Sequence, residues 1–273
     1  MSRPISFLSD FGLADEFVGV VHGVLATLAP DSRVIDVTHG IGRGDVRGGA
    51  LALLRAVPYL PEGVALAVVD PGVGTDRRAI VAETDWGWFV GPDNGILSPA
   101  VAAVGGAHRV VSIENPEARI PSPGRTFEGR DVFAPAAGLL AGDEMRFEDL
   151  GPVLDPESLR PLLLPITESQ DGGLLAAAWW VDRFGNVQTN ADPEDLVLMG
   201  LAVGDEVEVW IGSRARTVRW VETYGGAPQG HLVVHVDSHG LMALAVVGGS
   251  ASEELGIEGE RPLRFSRPGP TSL

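Results

Sequence analysis

The apolar run Val64–Val69 restricts the fold of this chain more than any other segment. It ends at Asp70, and Pro71 and Gly72 then turn the chain toward Arg77. A short apolar run closed by turn residues is typical of a buried strand, and open α/β sheets place their ligand chemistry at the carboxyl ends of such strands. The nearby guanidinium would keep Asp70 ionised and could hold an oxygen nucleophile against it. On this segment alone, Asp70 could equally serve only to start a turn.

Strand-like and helix-like segments alternate through the first 160 residues, which we assign to an α/β catalytic domain, 1–160. The predicted strands are Ile5–Leu8, Val34–Val37, Val64–Val69, Ile80–Glu83, Trp88–Val90 and Val110–Ile113. The predicted helices are Phe17–Leu28, a segment that Asp45 caps and that runs through Val57, and Asp131–Leu140, with Asp131 as its cap. This alternation predicts a doubly wound, mostly parallel sheet with helices on both faces.

A proline-punctuated stretch with little periodicity follows, and we predict a linker at 161–173. Beyond it the runs are short and strand-like, which predicts a small all-β domain, a barrel or a sandwich, at 174–273. Its predicted strands are Leu174–Val181, Glu206–Trp210, Thr217–Thr223, Leu232–Val236, Leu241–Val247 and Leu263–Phe265, with a short helix at Ser252–Leu255.

Composition excludes several classes of function. The net charge of −17 disfavours a nucleic-acid partner, because such binding relies on Lys and Arg neutralising phosphates. The chain has no cysteine, which excludes disulfides, thiolate metal sites and cysteine nucleophiles. No apolar stretch approaches the ~20 residues that span a bilayer, and the amino terminus lacks the pattern of a signal peptide. We therefore expect a cytoplasmic protein without a membrane partner.

Three strands of the first domain end in an ionisable residue close to a glycine, at Asp10, His39 and Asp70. In a doubly wound sheet these ends share one edge, which favours a site there. Glu128, between Phe127 and Gly129, could belong to this site or to a solvated loop.

Two polar turns of the second domain are further candidates. In Asp182–Asn190, an amide could read a nucleobase edge and Phe184 could stack on a base, although a plain polar hairpin is also possible. Ser238-His239-Gly240 is a similar turn.

Six separated motifs, taken in order and spacing, resemble one family of enzymes. They are Asp10-Phe11-Gly12, Asp70-Pro71-Gly72-Val73-Gly74 with Arg77, Pro92-Asp93-Asn94-Gly95, Phe127–Pro135, Phe184-Gly185-Asn186 and Ser238-His239-Gly240. The family is that of the S-adenosyl-L-methionine hydroxide adenosyltransferases, relatives of the fluorinase and chlorinase. The resemblance covers Ile5 to about Gly256 and implies a carboxy-terminal β-barrel and a homotrimer with substrate between neighbouring subunits. It also implies metal-independent hydrolysis of S-adenosylmethionine to adenosine and L-methionine, with no cofactor.

The resemblance further implies roles for individual residues. Asp70 and Arg77 match the catalytic carboxylate and arginine, and Asp10 matches the ribose-binding aspartate. The other implied substrate-binding positions are Phe184 and Tyr224 around adenine, Asn186 at its edge, and Asp182 and Ser238 at the methionine amine and carboxylate. Phe127 and His239, which lie within the matching motifs, are further substrate-binding candidates.

One position departs from the family pattern. The family has a histidine in Phe-His-Gly-Arg-Asp where this chain has Glu128. Glu128 could relay a proton as the histidine would, or it could pair with Arg77 or Arg130 and leave the enzyme slow.

Two other functions stay open at this point. A non-catalytic binder of S-adenosylmethionine or adenosine would fit the altered motif. A halogenase fits less well, because the carboxylate of Asp70 would repel a halide ion. A dinucleotide-binding oxidoreductase is disfavoured, since no G-x-G-x-x-G opens a helix after the first strand.

Overall fold

The computed structural model describes residues 2–269, which form two compact units. The first unit ends at Leu162 and the second begins at Leu163. The fold prediction is confirmed for both units, with a sheet of mostly parallel strands in the first and a closed β-barrel in the second. Among the described residues, no helix has the length and apolar character needed to span a bilayer.

The first unit consists of one sheet and the helices that follow its strands. Its strands are β1 (Ile5–Ser9), β2 (Val34–Thr38), β3 (Gly63–Val68), β4 (Ala79–Thr84), β5 (Gly87–Pro92), β6 (Arg109–Ser112) and β7 (Val153–Leu154). Its α-helices are α1 (Phe17–Leu28), α2 (Val46–Ala56), α3 (Ser98–Ala103) and α4 (Ala134–Ala141). Short 3₁₀ turns lie at Val57–Tyr59, Pro116–Ala118, Phe147–Leu150 and Pro156–Ser158.

The strand order in this sheet is β2-β1-β3-β5-β4-β6-β7. β1 pairs in parallel with β2 and β3, and β3 with β5. The hairpin partner β4 lies antiparallel between β5 and β6. β3 is buried along its whole length, as its unbroken apolar sequence predicts for a central strand of a parallel sheet.

Two of the predicted helices are confirmed and the third is partly wrong. α1 has the predicted bounds, and Asp45 caps α2 by accepting a 2.8 Å hydrogen bond from the Gly48 amide. At the third position, Gly129–Phe133 forms a π-helical turn and α4 begins only at Ala134. Asp131 lies inside that turn and is not a helix cap, because its carboxylate is paired with Arg130 at 2.6 Å.

The second unit is a barrel with two short helices. Its strands are β8 (Glu168–Gln170), β9 (Gly173–Val181), β10 (Val187–Thr189), β11 (Glu206–Ile211), β12 (Arg214–Trp220), β13 (Leu232–Val236), β14 (Met242–Val246) and β15 (Arg261–Ser266). Its α-helices are α5 (Pro193–Leu198) and α6 (Ala251–Leu255), and Tyr224–Gly226 is a 3₁₀ turn.

Seven strands close the barrel in the order β10-β14-β13-β12-β11-β15-β9, because β9 also pairs with β10. β8 extends the sheet from β9. The sequence alone did not distinguish a barrel from a sandwich, and the structure shows a barrel. The strand predicted at Thr217–Thr223 is shifted, since β12 begins at Arg214 and ends at Trp220.

Candidate active site

The three predicted strand ends lie side by side. β1 is flanked by β2 and β3 in parallel, with Leu8 opposite Thr38 and Ser9 opposite Val68. The residues that follow these strands therefore leave the sheet at the same edge. The shared edge predicted for these three strand ends is therefore observed, and the location of a site there stays a prediction.

Asp70, Arg77 and Glu128 form one hydrogen-bonded cluster at this edge. Arg77 Nε donates to both oxygens of Asp70, at 2.9 and 3.0 Å. Arg77 Nη2 donates to Asp70 Oδ2 and also to Glu128 Oε2. A single guanidinium therefore holds two carboxylates 58 residues apart in sequence, since Glu128 follows Asp70 by 128 − 70 positions.

This cluster is largely removed from solvent. The exposed fraction of the side chain is 6% for Asp70, 8% for Arg77 and 10% for Glu128. Burial by itself would lower the pKa of Arg77, but its hydrogen bonds to Asp70 and Glu128, together with their negative charges, raise the pKa above the ordinary arginine value. Arg77 thus stays cationic, and two carboxylates share one buried cation.

The turn after β3 places Arg77 beside Asp70. The amides of Val73 and Thr75 donate to the carbonyls of Asp70 and Gly72, both at 3.2 Å. Gly74 has a φ of +79°, and a Cβ added there would lie 3.0 Å from the carbonyl oxygen of Arg125. A glycine is needed at this point because the turn packs against the segment that leads to Glu128.

Glu128 immediately precedes the π-helical turn Gly129–Phe133. Such turns are frequent at functional sites. A Cβ on Gly129 would lie 2.8 Å from Phe11 Cζ, so glycine permits the close approach of this turn to the end of β1. The Phe127 ring packs edge-on against Phe11 and Phe17, with centroid separations of 5.7 and 5.0 Å.

Asp10 is adjacent to the cluster but bonds to a different loop. Its Oδ2 accepts a 2.8 Å hydrogen bond from the Gly44 amide. A Cβ on Gly44 would lie 3.7 Å from Pro71 Cβ, so this loop touches the turn that follows Asp70. Asp10 is therefore linked, through Gly44 and Pro71, to the turn that carries Arg77.

In the second unit, Asp182 organises the loop between β9 and β10. Its Oδ1 accepts from the amides of Phe184 and Asn186 at 2.8 and 2.9 Å, and its Oδ2 accepts from the Asn186 side chain at 2.8 Å. Gly185 has a φ of +80°, and a Cβ there would lie 2.1 Å from Ser250 Oγ. The loop so fixed leaves the Phe184 ring 70% exposed, as a stacking surface requires.

Tyr224 lies near this loop and near the turn after β13. Burial is the largest cause that raises its pKa, and the negative charges of Asp182 and Asp237 raise it further. The Tyr224 ring also lies 4.8 Å from the His235 ring, between centroids.

Ser238 and His239 are exposed in the turn after β13. Asp237 shapes that turn, because its Oδ1 accepts from the amides of His239 and Leu241 at 2.8 and 3.1 Å, and its Oδ2 accepts from Gln188. The second group of predicted residues thus comes from three neighbouring loops of the barrel.

Some residues of these sites were not identified from the sequence. Asp237 has a visible signal, since an aspartate before Ser-His-Gly is typical of an Asx turn. Phe17 has none, because only the folded chain brings it to Phe127. Phe11 and Asp93 lie within motifs named above, but their contacts were not predicted: Phe11 packs against Phe127, and Asp93 binds Arg78 Nε at 2.8 Å and supports the turn that carries Arg77.

Comparison with known proteins places both units in one family. Residues 5–151 match the N-terminal domain of the SAM hydroxide adenosyltransferases, and residues 176–264 match the C-terminal domain. Two curated relatives carry the name (R)-S-adenosyl-L-methionine hydrolase. The one from Salinispora tropica is 48% identical, covering 93% of this chain and 94% of its own, and the one from Thermus thermophilus is 45% identical, covering 96% and 99%.

A fluorinase from Actinoplanes sp. is more distant, at 26% identity over 88% of this chain and 90% of its own. Among solved structures, that of a conserved protein from Thermotoga maritima has a TM-score of 0.89 and 34% identity, covering 96% of this chain and 100% of its own.

Replacing Arg77 tests whether the cluster is a coupled unit. We expect Arg77→Met to destabilise the protein by about 3–5 kcal/mol, because it leaves two buried carboxylates without a cation. Urea unfolding monitored by circular dichroism measures the change. The matched control is Arg109→Met, which removes another arginine that bridges two carboxylates, Glu83 and Glu148, but is 44% exposed. Equal losses of stability for the two variants would show that burial of the cluster is unimportant.

Proposed function

Since the chain belongs to the SAM hydroxide adenosyltransferase family, we propose that it hydrolyses S-adenosyl-L-methionine to adenosine and L-methionine. The observation that carries the proposal is the buried Asp70–Arg77–Glu128 cluster at the carboxyl end of β3. The relatives' names specify the (R) epimer of the sulfonium, and we extend that preference to this chain.

The proposed reaction is displacement at the ribose C5′ carbon. Water supplies the oxygen that forms the new bond, and the C5′–S bond breaks as methionine leaves. The leaving group is a neutral thioether, so the reaction needs no general acid. The difficulty lies in the nucleophile, because water is weak and hydroxide is scarce near neutral pH.

Asp70 and Arg77 meet that difficulty in complementary ways. Asp70 accepts the proton of the attacking water, a general-base contribution of about 10²–10⁴-fold. Arg77 uses Nε and Nη2 to hold the two carboxylates, and we assign its Nη1 to the oxygen nucleophile. Alignment of that oxygen behind C5′ supplies up to ~7–11 kcal/mol in favourable cases, and bound substrate strengthens these contacts by excluding bulk water.

Glu128 acts through Arg77 in this proposal. Glu128 bonds Arg77, whereas Arg130 Nε and Nη2 bind Asp131 at 2.6 and 3.0 Å; these contacts support Arg77, and not Arg130, as the partner through which Glu128 acts. Glu128 therefore takes the place of the family histidine as a positioning residue, which fixes the guanidinium against Asp70.

The remaining predicted residues bind substrate in this proposal. Asp10 binds the ribose hydroxyls, and Phe127 borders that position. The residues of the barrel loops bind the two ends of the molecule: Phe184, Tyr224 and Asn186 at adenine, and Asp182, Ser238 and His239 at the methionine moiety. The exposed rings of Phe184 and Tyr224 support an adenine sandwich.

Halogenation and simple binding are the two rivals. The cluster carries two carboxylates against one arginine, so its net negative charge opposes entry of a halide. The hydrolase names of the 45–48% identical relatives favour turnover over binding alone.

The proposal includes no metal and no cofactor, because a neutral leaving group and a protein base suffice. It also includes a homotrimer with substrate between neighbouring subunits and a cytoplasmic location. Light scattering on the purified protein tests the assembly, for which we expect three times the chain mass of 28.7 kDa.

Replacing the proposed base tests the chemistry. Purified protein should convert S-adenosylmethionine to adenosine and methionine, and Asp70→Asn should lower kcat by about 10²–10⁴-fold, because the amide cannot take the proton. Chromatography of the products gives the rates. The control is Asp76→Asn, which changes an exposed carboxylate of the same turn. Calorimetric binding of S-adenosylmethionine without product would indicate a binder, and 5′-chloro-5′-deoxyadenosine formed in chloride would indicate a halogenase.

Variants of Glu128 test its positioning role. We expect Glu128→Ala to lower kcat by about 10–100-fold with little change in KM, because the guanidinium loses one of its anchors. Glu128→Gln keeps an oxygen acceptor and should retain most of the turnover, whereas a proton relay would be lost in both variants. Glu128→His reports whether the family residue works better here. Unchanged turnover in Glu128→Ala would remove Glu128 from the mechanism.

A further inference from the structure

A second group of ionisable side chains lies beside the first unit's sheet, apart from the cluster around Arg77. We call His22, Asp36 and His39 the His22 group. His22 is on α1, Asp36 on β2, and His39 directly follows β2. One ligand atom from each of the three lies within 4.8 Å of the other two. The proposed hydrolysis uses none of these residues.

The carboxylate of Asp36 is central to the His22 group. Its Oδ1 lies 2.8 Å from His22 Nε2 and 3.0 Å from His39 Nε2. Phe7, which is fully buried, packs against both imidazoles, with centroid separations of 6.2 Å from His22 and 4.6 Å from His39. The two ring nitrogens therefore converge on one oxygen and are held there by packing.

His39 Nε2 is the atom of this group whose hydrogen-bonding capacity is not satisfied. The residue is 6% exposed, and this nitrogen is buried without a hydrogen bond. It lies 3.0 Å from Asp36 Oδ1, within ion-pair distance, but the two atoms are not aligned for a regular hydrogen bond. Buried polar atoms without a partner are uncommon and call for an explanation.

The other nitrogen of His39 is already held in place. His39 Nδ1 and Ser9 Oγ are 2.8 Å apart, and both side chains are buried. Metal-binding histidines nearly always use their second ring nitrogen in this way, which fixes the ring and the tautomer. With Nδ1 bound to Ser9, Nε2 is the nitrogen left to act as a ligand.

Two imidazoles and one carboxylate form a donor set typical of zinc and neighbouring transition metals, whereas Mg²⁺ and Ca²⁺ prefer oxygen alone. In a tetrahedral site with bonds of about 2.0–2.1 Å, ligand atoms lie about 3.3–3.4 Å apart. The two separations from Asp36 Oδ1, 2.8 and 3.0 Å, need to widen by a few tenths of an ångström, and the two imidazole nitrogens already lie within 4.8 Å of each other. The side chains of His22 and Asp36 are 36% and 45% exposed, so they can make that adjustment and leave the fourth position to water.

We propose that His22, Asp36 and His39 form a binding site for one Zn²⁺ ion, with the fourth coordination position open to solvent. Such an ion would join α1 to the end of β2. It would also stiffen the end of β1, because Ser9 bonds His39 Nδ1 and the His39 carbonyl accepts from the Gly12 amide at 2.8 Å. The site takes no part in the proposed hydrolysis, so the two proposals are tested independently.

Zinc titration of the full chain tests the site. EDTA-treated and dialysed protein is titrated with ZnCl₂ by calorimetry, and binding is repeated with Co²⁺, whose visible absorption reports nitrogen and oxygen ligation. We expect one equivalent of Zn²⁺ to bind, and His22→Ala to weaken that binding by at least about tenfold. Zn²⁺ should also raise the Tm of the unaltered protein but not that of His22→Ala.

The matched control is His108→Ala, which removes another histidine that contacts a carboxylate, with His108 Nε2 2.9 Å from Asp85 Oδ1. Because no third ligating side chain joins that pair within residues 2–269, its loss should leave the affinity for Zn²⁺ unchanged. Asp36→Asn, which keeps the shape of the side chain, replaces His22→Ala if the latter fails to fold. Absence of stoichiometric binding, or equal affinity in His22→Ala and the unaltered protein, would overturn the proposal.

Discussion

The candidate site depends on the ion pairs that the Arg77 guanidinium makes with two carboxylates. This guanidinium is the cation that joins the strand-end carboxylate Asp70 to Glu128, which lies on another segment immediately before the π-helical turn. Two carboxylates that are at most 10% exposed would repel each other without it. The same contacts that stabilise the cluster also fix the direction of Asp70, so stability and the proposed catalysis share one origin.

The fold could be predicted largely because its signals are local. The β3 segment is an unbroken apolar run, α1 has clean boundaries, and Asp45 is a recognisable cap. What the sequence could not show depends on contacts between distant segments. β10 has only three residues, too few for a periodic pattern. The π-helical turn before α4 packs closely against Phe11, a long-range contact that Gly129 permits.

The residues of the candidate site also fall into two groups, those that local sequence signals identify and those that only contacts between distant segments reveal. Asp10 and Asp70 could be identified because strand ends in a parallel sheet meet at one edge. The partner of Glu128 could not, since Arg77 and Arg130 are equivalent choices in the sequence and only the turn after β3 decides between them. The assignments for Phe184, Asn186 and Ser238 rest on motif resemblance, and the geometry adds that Asp182 and Asp237 hold the loops that carry them.

The central claim is that Asp70 and Arg77 direct a water oxygen to the C5′ carbon. The most direct test is turnover of S-adenosylmethionine in H₂¹⁸O, followed by mass spectrometry of both products. The account predicts one ¹⁸O atom in adenosine, at the 5′ position, and none in methionine. Product formed without label in adenosine, or with label in methionine, would contradict it, because the oxygen would then have come from elsewhere or attacked a different bond.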